Sequence, residues 1–214
     1  MQLDDANQLL ERGNLPLESG YVRLDDGQLH VAAWTSMHGC KGHMVEWWFG
    51  FLETIEQYKW WHPTDHVFQE VVDRPAPGRY VDATHNVHEY IGGELQKLKI
   101  RFRDPSRYLD TSRFKEAGVS AAVCARVGPL DAPFWAGHLI HLCRDTDYGC
   151  DMRSRFWLGD FDPPEIAPSR EGRLALFADS VGSAVLKHCH EEMSYLAALL
   201  PELYAKETGQ ASTA

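Results

Sequence analysis

The sequence lacks any long apolar run. Nothing approaches the ~20 consecutive residues of a membrane-spanning helix, and Asp4 and Asp5 stand where a secretory leader would be basic and then apolar. A soluble, cytoplasmic protein is expected. A cysteine framework is missing as well. The five cysteines, Cys40, Cys124, Cys143, Cys150 and Cys189, are an odd set without a CxxC, which argues against a disulfide scaffold or a thiolate zinc cluster. Most are expected as small core residues. Positive charge is scarce: 21 Lys and Arg stand against 31 Asp and Glu, a formal net charge of −10, with no basic cluster to override it. Nucleic acid and anionic membranes are thereby disfavoured, and a small molecule is the expected partner. Internal repeats and low-complexity tracts are absent too, so the 214 residues suit one domain with its own core.

What is present is histidine and tryptophan, and both cluster. Trp47, Trp48, Trp60 and Trp61 crowd beside His62 and His66, the composition of a pocket wall. Residues 1–18 are polar, with a short helix signal at Leu9 and Leu10 and then Pro16, and read as an N-terminal arm before a domain over 19–214. Gly20 to Thr35 alternates around Asp25-Asp26-Gly27 and predicts a hairpin. A helix follows, in which Met44, Trp47, Trp48 and Phe51 share a face. Pro63 then marks the run from Tyr58 to His66 as a loop. Residues 85–103, 119–127, 134–144 and 150–158 read as strands, with a turn at 145–149 and a linker from Pro163 to Gly172. Met152, Ser154, Phe156 and Leu158 are expected to face inward. His138 and His141 lie on opposite faces of one strand, and the register that decides which points inward is left open.

The final helix, expected from Leu174 to Leu200, is free of proline and rich in Ala and Leu. At about 100° per residue, Val185, His188, Glu192, Tyr195 and Leu199 fall on one stripe while His190 points to solvent. An imidazole and a carboxylate one turn apart in an apolar stripe need a partner, since an unpaired buried carboxylate is costly. A hydrogen-bonded His188–Glu192 pair and a divalent metal site both answer that need. Glu89 poses the same question, because it shares the apolar face of its strand with Val87 and Ile91. An antiparallel sheet wrapped around a long C-terminal helix, an α+β helix-grip layout, would close a cavity between the two layers. His188 and Glu192 would look into it from the helix, Glu89 from the sheet and His62 from the entrance loop.

The runs Met44-Val45-Glu46-Trp47-Trp48-Phe49, Trp61 to His66 (WHPxDH), His88 to Gly93 (HEYIGG) and Arg153 to Gly159 (RSRFWLG), with the terminal HxxxE, resemble the diacetylphloroglucinol hydrolase family, which includes phloretin hydrolase. The likeness spans about residues 20 to 200. It implies a helix-grip fold of the START-like and Bet v-like kind, a Zn²⁺ cofactor, and hydrolysis of the carbon–carbon bond between an acyl group and a phloroglucinol ring. It also implies His62, Glu89, His188 and Glu192 as the zinc ligands, and a homodimer as the assembly. Asp65 and His66 are then expected to orient groups or transfer protons near the metal. His141, preferred to His138 on the resemblance, would contact the substrate's oxygens, and Trp60, Trp61 and Phe156 would wall the aromatic ring. Two other readings remain at this point: a zinc hydrolase of a different β-diketone, and a non-catalytic helix-grip carrier of aromatic ligands.

Overall fold

The computed structural model describes residues 1–210. In chain order the elements are β1 (Gly20–Arg23), β2 (Leu29–His38), α1 (Gly42–Phe51), α2 (Ile55–Trp61), β3 (His66–Val72), β4 (Thr84–Ile91), β5 (Glu94–Arg103), α3 (Phe114–Ala117), β6 (Val119–Pro129), β7 (Trp135–Thr146), β8 (Gly149–Asp162), α4 (Arg170–Leu176) and α5 (Asp179–Thr208). The strands form a single antiparallel sheet of eight in the order β1-β2-β8-β7-β6-β5-β4-β3. Strand alternation sorts its side chains between two cores. On the inner face Met37, Val87, Val123, Leu139 and Met152 pack against α1 and against Cys189, Met193, Leu196 and Leu200 of α5. This is the helix-grip, α+β arrangement. No described helix is long and apolar enough to cross a membrane.

The outer face is covered by the N-terminal arm. Residues Leu3–Leu10 form a 3-10 helix whose Ala6, Leu9 and Leu10 pack on Ile140, Leu142 and Trp157. Trp157 Nε1 donates to the Met1 carbonyl at 2.9 Å, which anchors the chain's first residue to β8. The expected inward set on β8 is observed, with Met152 in the inner core, Ser154 bonded to His141, and Phe156 and Leu158 lining the cavity.

Two expectations are corrected, and one strand was not foreseen. Tyr58 to Trp61 are helical, because Thr54 and Gln57 form a capping box that starts α2, and Pro63 ends the helix only after His62. The strand β3, which begins at His66, had no clear alternation to reveal it. The long C-terminal helix is broken at Phe177 and Ala178, where the Arg23 guanidinium donates both to the Phe177 carbonyl and to Asp179 in the first turn of α5. Beyond the break α5 runs through Pro201 to Thr208. Proline has no N–H for the carbonyl four residues back. The Cys40 thiol donates to that Ala197 carbonyl instead, at 3.5 Å, so the helix continues without an orphaned acceptor.

Gly182 sets how closely α5 approaches the sheet edge. A Cβ there would lie 2.7 Å from Cγ of Tyr21 on β1. Alanine gains about 1 kcal/mol in helix propensity over glycine, whereas overpacking costs about 1–3 kcal/mol. Gly182→Ala is therefore expected to lower stability by about 1 kcal/mol in urea denaturation, and a rise in the midpoint would show that the Tyr21 ring swings aside freely.

Candidate metal centre and active site

Four elements bring the site together. On β4 the period of two turns His85, Val87 and Glu89 inward, and all three are buried. His66 opens β3 directly opposite Glu89 in the sheet register, so both side chains project from the same face. His188 and Glu192 come from α5, one turn apart and buried. Tyr58 on α2 completes the group, its hydroxyl donating to Glu89 Oε2 at 2.8 Å.

His66 Nε2 lies 3.4 Å from Glu89 Oε2 and 3.7 Å from Glu192 Oε2, and His188 Nε2 lies 3.4 Å from Glu89 Oε2. Neither Nε2 has an aligned hydrogen-bond partner, although both atoms are buried. Their other ring nitrogens are engaged. His66 Nδ1 donates to the Tyr58 carbonyl at 3.0 Å, and His188 Nδ1 donates to Asp65 Oδ2 at 3.3 Å. Holding the hydrogen on Nδ1 leaves Nε2 as the electron-pair donor, the pattern of metal-binding imidazoles. Asp65 is itself fixed by its carbonyl, which accepts from Tyr90 N–H on β4 at 2.9 Å.

His62 has the opposite tautomer. Its Nδ1 accepts the Asp65 backbone N–H at 3.1 Å, and a backbone amide can only donate. The ring hydrogen of neutral His62 therefore sits on Nε2, which lies 3.6 Å from Asp65 Oδ2 and 3.9 Å from Glu191 Oε2. Burial, outweighing the nearby Asp65 charge, lowers its pKa and keeps it neutral. His62 stacks on His188 with ring centroids 5.1 Å apart, beside the cluster.

The ionisable groups of the cluster shift one another strongly. Burial pushes Glu192 up to about 8, a rise that His188 opposes and Glu89 reinforces. Glu89, although burial raises it, is drawn down to about 2 by His188, His66 and the Tyr58 hydroxyl. Burial lowers His188, but Glu89, Glu192 and Asp65 outweigh it and raise the ring to about 9. Burial depresses His66 to about 4. With no ion bound, protons on His188 and Glu192 balance the buried carboxylates, and a cation at the cluster would take the place of both, freeing the His188 Nε2 electron pair. Among the described residues two groups can each offer three atoms to a common ion, His62 with Asp65 and His188, and His66 with Glu89 and His188. Only the second also has Glu192 beside it, and in place of the expected His62 it gives a two-His, two-carboxylate set that suits a divalent metal.

The cluster forms part of the wall of a cavity of 120 Å³ between sheet and α5. Trp61, Phe156 and His141 line it, with Phe49 and Phe102 at its closed end. His141 is the inward histidine of β7. Its Nδ1 bonds Ser154 Oγ at 2.8 Å, and burial lowers it to about 4, so it is neutral near pH 7. His138 is on the outer face, between Tyr108 and the Arg126–Asp160 pair, because β7 pairs it with the outward-facing Trp157. Trp60 is 48% exposed on α2 and is not part of the cavity wall, whereas Trp61 is 7% exposed. His190 is exposed. Two residues were not singled out from the sequence. His85 shares the inward face of Glu89 by simple alternation, and Tyr58 lies one helical turn before the WHPxDH run.

Fold and site define a helix-grip protein with a buried His/Glu centre at the wall of an aromatic cavity. The chain belongs to the DAPG hydrolase family: the model of the DAPG hydrolase PhiG domain matches residues 1–205. It is 29% identical to a 2,4-diacetylphloroglucinol hydrolase of a Pseudomonas species, over 94% of this chain and 76% of that protein. It is 30% identical to the phloretin hydrolase of Eubacterium ramulus, over 88% of this chain and 72% of the relative. Among solved structures, protein Ms6760 from Mycobacterium smegmatis superposes with a TM-score of 0.51 at 14% identity, covering 86% of this chain and 98% of its own, a likeness of fold.

Proposed function

We propose that this protein hydrolyses the carbon–carbon bond joining an acyl group to a phloroglucinol-type ring, releasing a carboxylic acid and a phenol, with Zn²⁺ as cofactor. The observation that carries the reading is the convergence of His66 and His188, whose buried Nε2 atoms, like that of His62, have no partner, on Glu89 and Glu192 at an aromatic cavity. The relatives named for cleaving diacetylphloroglucinol and phloretin support the substrate class. A passive carrier of aromatic ligands has no use for two buried carboxylates.

His66, Glu89, His188 and Glu192 would hold the ion. Bound there, zinc would polarise the acyl carbonyl and make a water more acidic. The chain's own groups do the rest. Asp65 and the Tyr58 carbonyl fix the two imidazoles, and the Tyr58 hydroxyl holds Glu89. Trp61 and Phe156 flank the ring. His141 has Nδ1 committed to Ser154, which leaves Nε2 for a ring hydroxyl. A hydroxyl ortho to the acyl group can pass its proton to the ring carbon, turning the substrate into a β-diketone. Water then adds its oxygen to the acyl carbon, the bond to the ring breaks, and its electron pair returns to the ring as a phenolate. Neutral His141 would accept the hydroxyl hydrogen at Nε2 and, held at about 4 by burial, would pass a proton on to the ring carbon rather than keep it.

The test is metal analysis of the purified protein, followed by product assay on acetylphloroglucinols and phloretin with and without chelator. Metal-dependent release of acid and phenol is expected. A metal-free protein that binds these phenols without consuming them would make it a carrier. His141→Ala is expected to lower kcat by about 10²–10⁴-fold with metal content retained; full activity in that variant would remove His141 from the reaction.

A further inference from the structure

The cavity beside the metal cluster has a neighbour. A second apolar space of 420 Å³ adjoins it, and the two share Ile91, Leu98, Val127, Leu158 and Val185 as a common wall. This groove runs outward between the β4–β5 hairpin and the first turns of α5, past Ala184 and Val181 to Phe177 and Leu176, which is 59% exposed. From His188 back to Val181 the path along the helix is about 10 Å.

The two ends differ in chemistry. The closed end carries His141 and His85, whose buried Nε2 has no partner, so hydroxyls of a phenolic ring find hydrogen-bonding groups there. The groove presents aliphatic and aromatic side chains, with Glu94, Gln96 and Ser180 at its walls. A substrate whose carbonyl lies at the cluster therefore has one favoured orientation, ring inward and acyl chain outward. The methyl of an acetyl group reaches only about 1.5 Å beyond its carbonyl carbon and leaves the groove empty.

Resting on the acylphloroglucinol reading above, we propose that this groove is the acyl subsite. It selects substrates whose acyl chain is long and ends in an apolar or aryl group, such as a 3-arylpropanoyl phloroglucinol, over acetylphloroglucinols. Val181 and Ala184 determine this preference. Both are half-buried and belong to the groove and not to the inner cavity. Ala184 also meets the hairpin tip, since a Cβ on Gly92 would come within 2.8 Å of its own Cβ. Bulk added at either position narrows the path without touching the cluster.

The experiment compares wild type with Val181→Trp and the milder Ala184→Leu, reading kcat/KM for phloretin and for monoacetylphloroglucinol. The ratio of phloretin to acetyl substrate is expected to fall about tenfold or more in Val181→Trp and less in Ala184→Leu. An unchanged ratio in both variants would overturn the acyl subsite. Calorimetric titration with phloretin separates this from the underlying function. Should wild type cleave neither compound, the hydrolase reading fails, and the phloretin Kd still decides the groove: weakened binding in Val181→Trp supports it and unaltered binding sinks it.

Discussion

His66→Ala should strip the metal from this protein and reduce kcat/KM by about 10³-fold or more, the equivalent of roughly 4 kcal/mol of lost transition-state stabilisation, whereas His62→Ala should keep the metal. The two histidines are four residues apart in one short motif, and composition and spacing do not tell them apart. Their hydrogen bonds do. The Tyr58 carbonyl can only accept, so His66 carries its hydrogen on Nδ1 and offers a bare Nε2. The Asp65 amide can only donate, so His62 offers Nδ1 and turns an N–H toward Asp65. A neutral imidazole cannot ligate through a protonated nitrogen. His62→Ala disturbs the loop that places Asp65 and removes a ring stacked on His188, which supports a loss in metal affinity of about 10–100-fold. Metal analysis after dialysis against a weak chelator reads both variants directly. Retention in His66→Ala together with loss in His62→Ala would reverse the assignment and require the His62 ring to flip.

Much of the layout is legible in the sequence because it depends on short-range patterning. The alternation through Val87, Glu89 and Ile91 shows that a carboxylate shares an apolar face, and the step from His188 to Glu192 puts both on one helical stripe. What escapes is what depends on register and partners. His138 and His141 differ only in face, and the pairing of β7 with β8, which sets His141 opposite Ser154, decides between them. Trp60 and Trp61 are adjacent on α2, and its rotation buries one and exposes the other. The break between α4 and α5 is made by Arg23, more than 150 residues away in sequence. Pro201 would end most helices, and here a thiol on a distant loop satisfies the carbonyl that the proline leaves free. The same holds for the arm, whose few apolar residues give no hint that β8 has an apolar, arginine-bearing outer face needing cover.

Glu18→Gln is expected to cost about 3–5 kcal/mol of stability while leaving the metal centre, on the other face of the sheet, with its ligands in place. Arg153 and Arg155 project from the outer face of β8 beneath the arm and are 2% and 0% exposed. Glu18 neutralises both. Its Oε1 accepts from Arg153 at 2.6 Å and from the Leu15 amide at 2.8 Å, and its Oε2 accepts from Arg155 at 2.8 Å and from Arg153 Nε at 3.1 Å. Glutamine keeps the shape and removes the charge, which leaves two guanidinium groups without their counter-ion. Against a total stability of about 5–15 kcal/mol for a domain of ordinary stability, that loss should appear as a large fall in the urea midpoint. Its pH dependence is a second signature. Burial raises the Glu18 pKa, but the Leu15 amide and the two arginines outweigh it and bring the group below the usual carboxylate value. The folded state therefore holds fewer protons than the unfolded chain, and the stabilisation is complete above the unfolded value of about 4.3 and fades as pH falls through the lower folded one. The gap between wild type and Glu18→Gln should close over that acid window. A gap that is small and constant with pH would mean that water enters beneath the arm and solvates both arginines, and that residues 1–18 cover the sheet without tying it down.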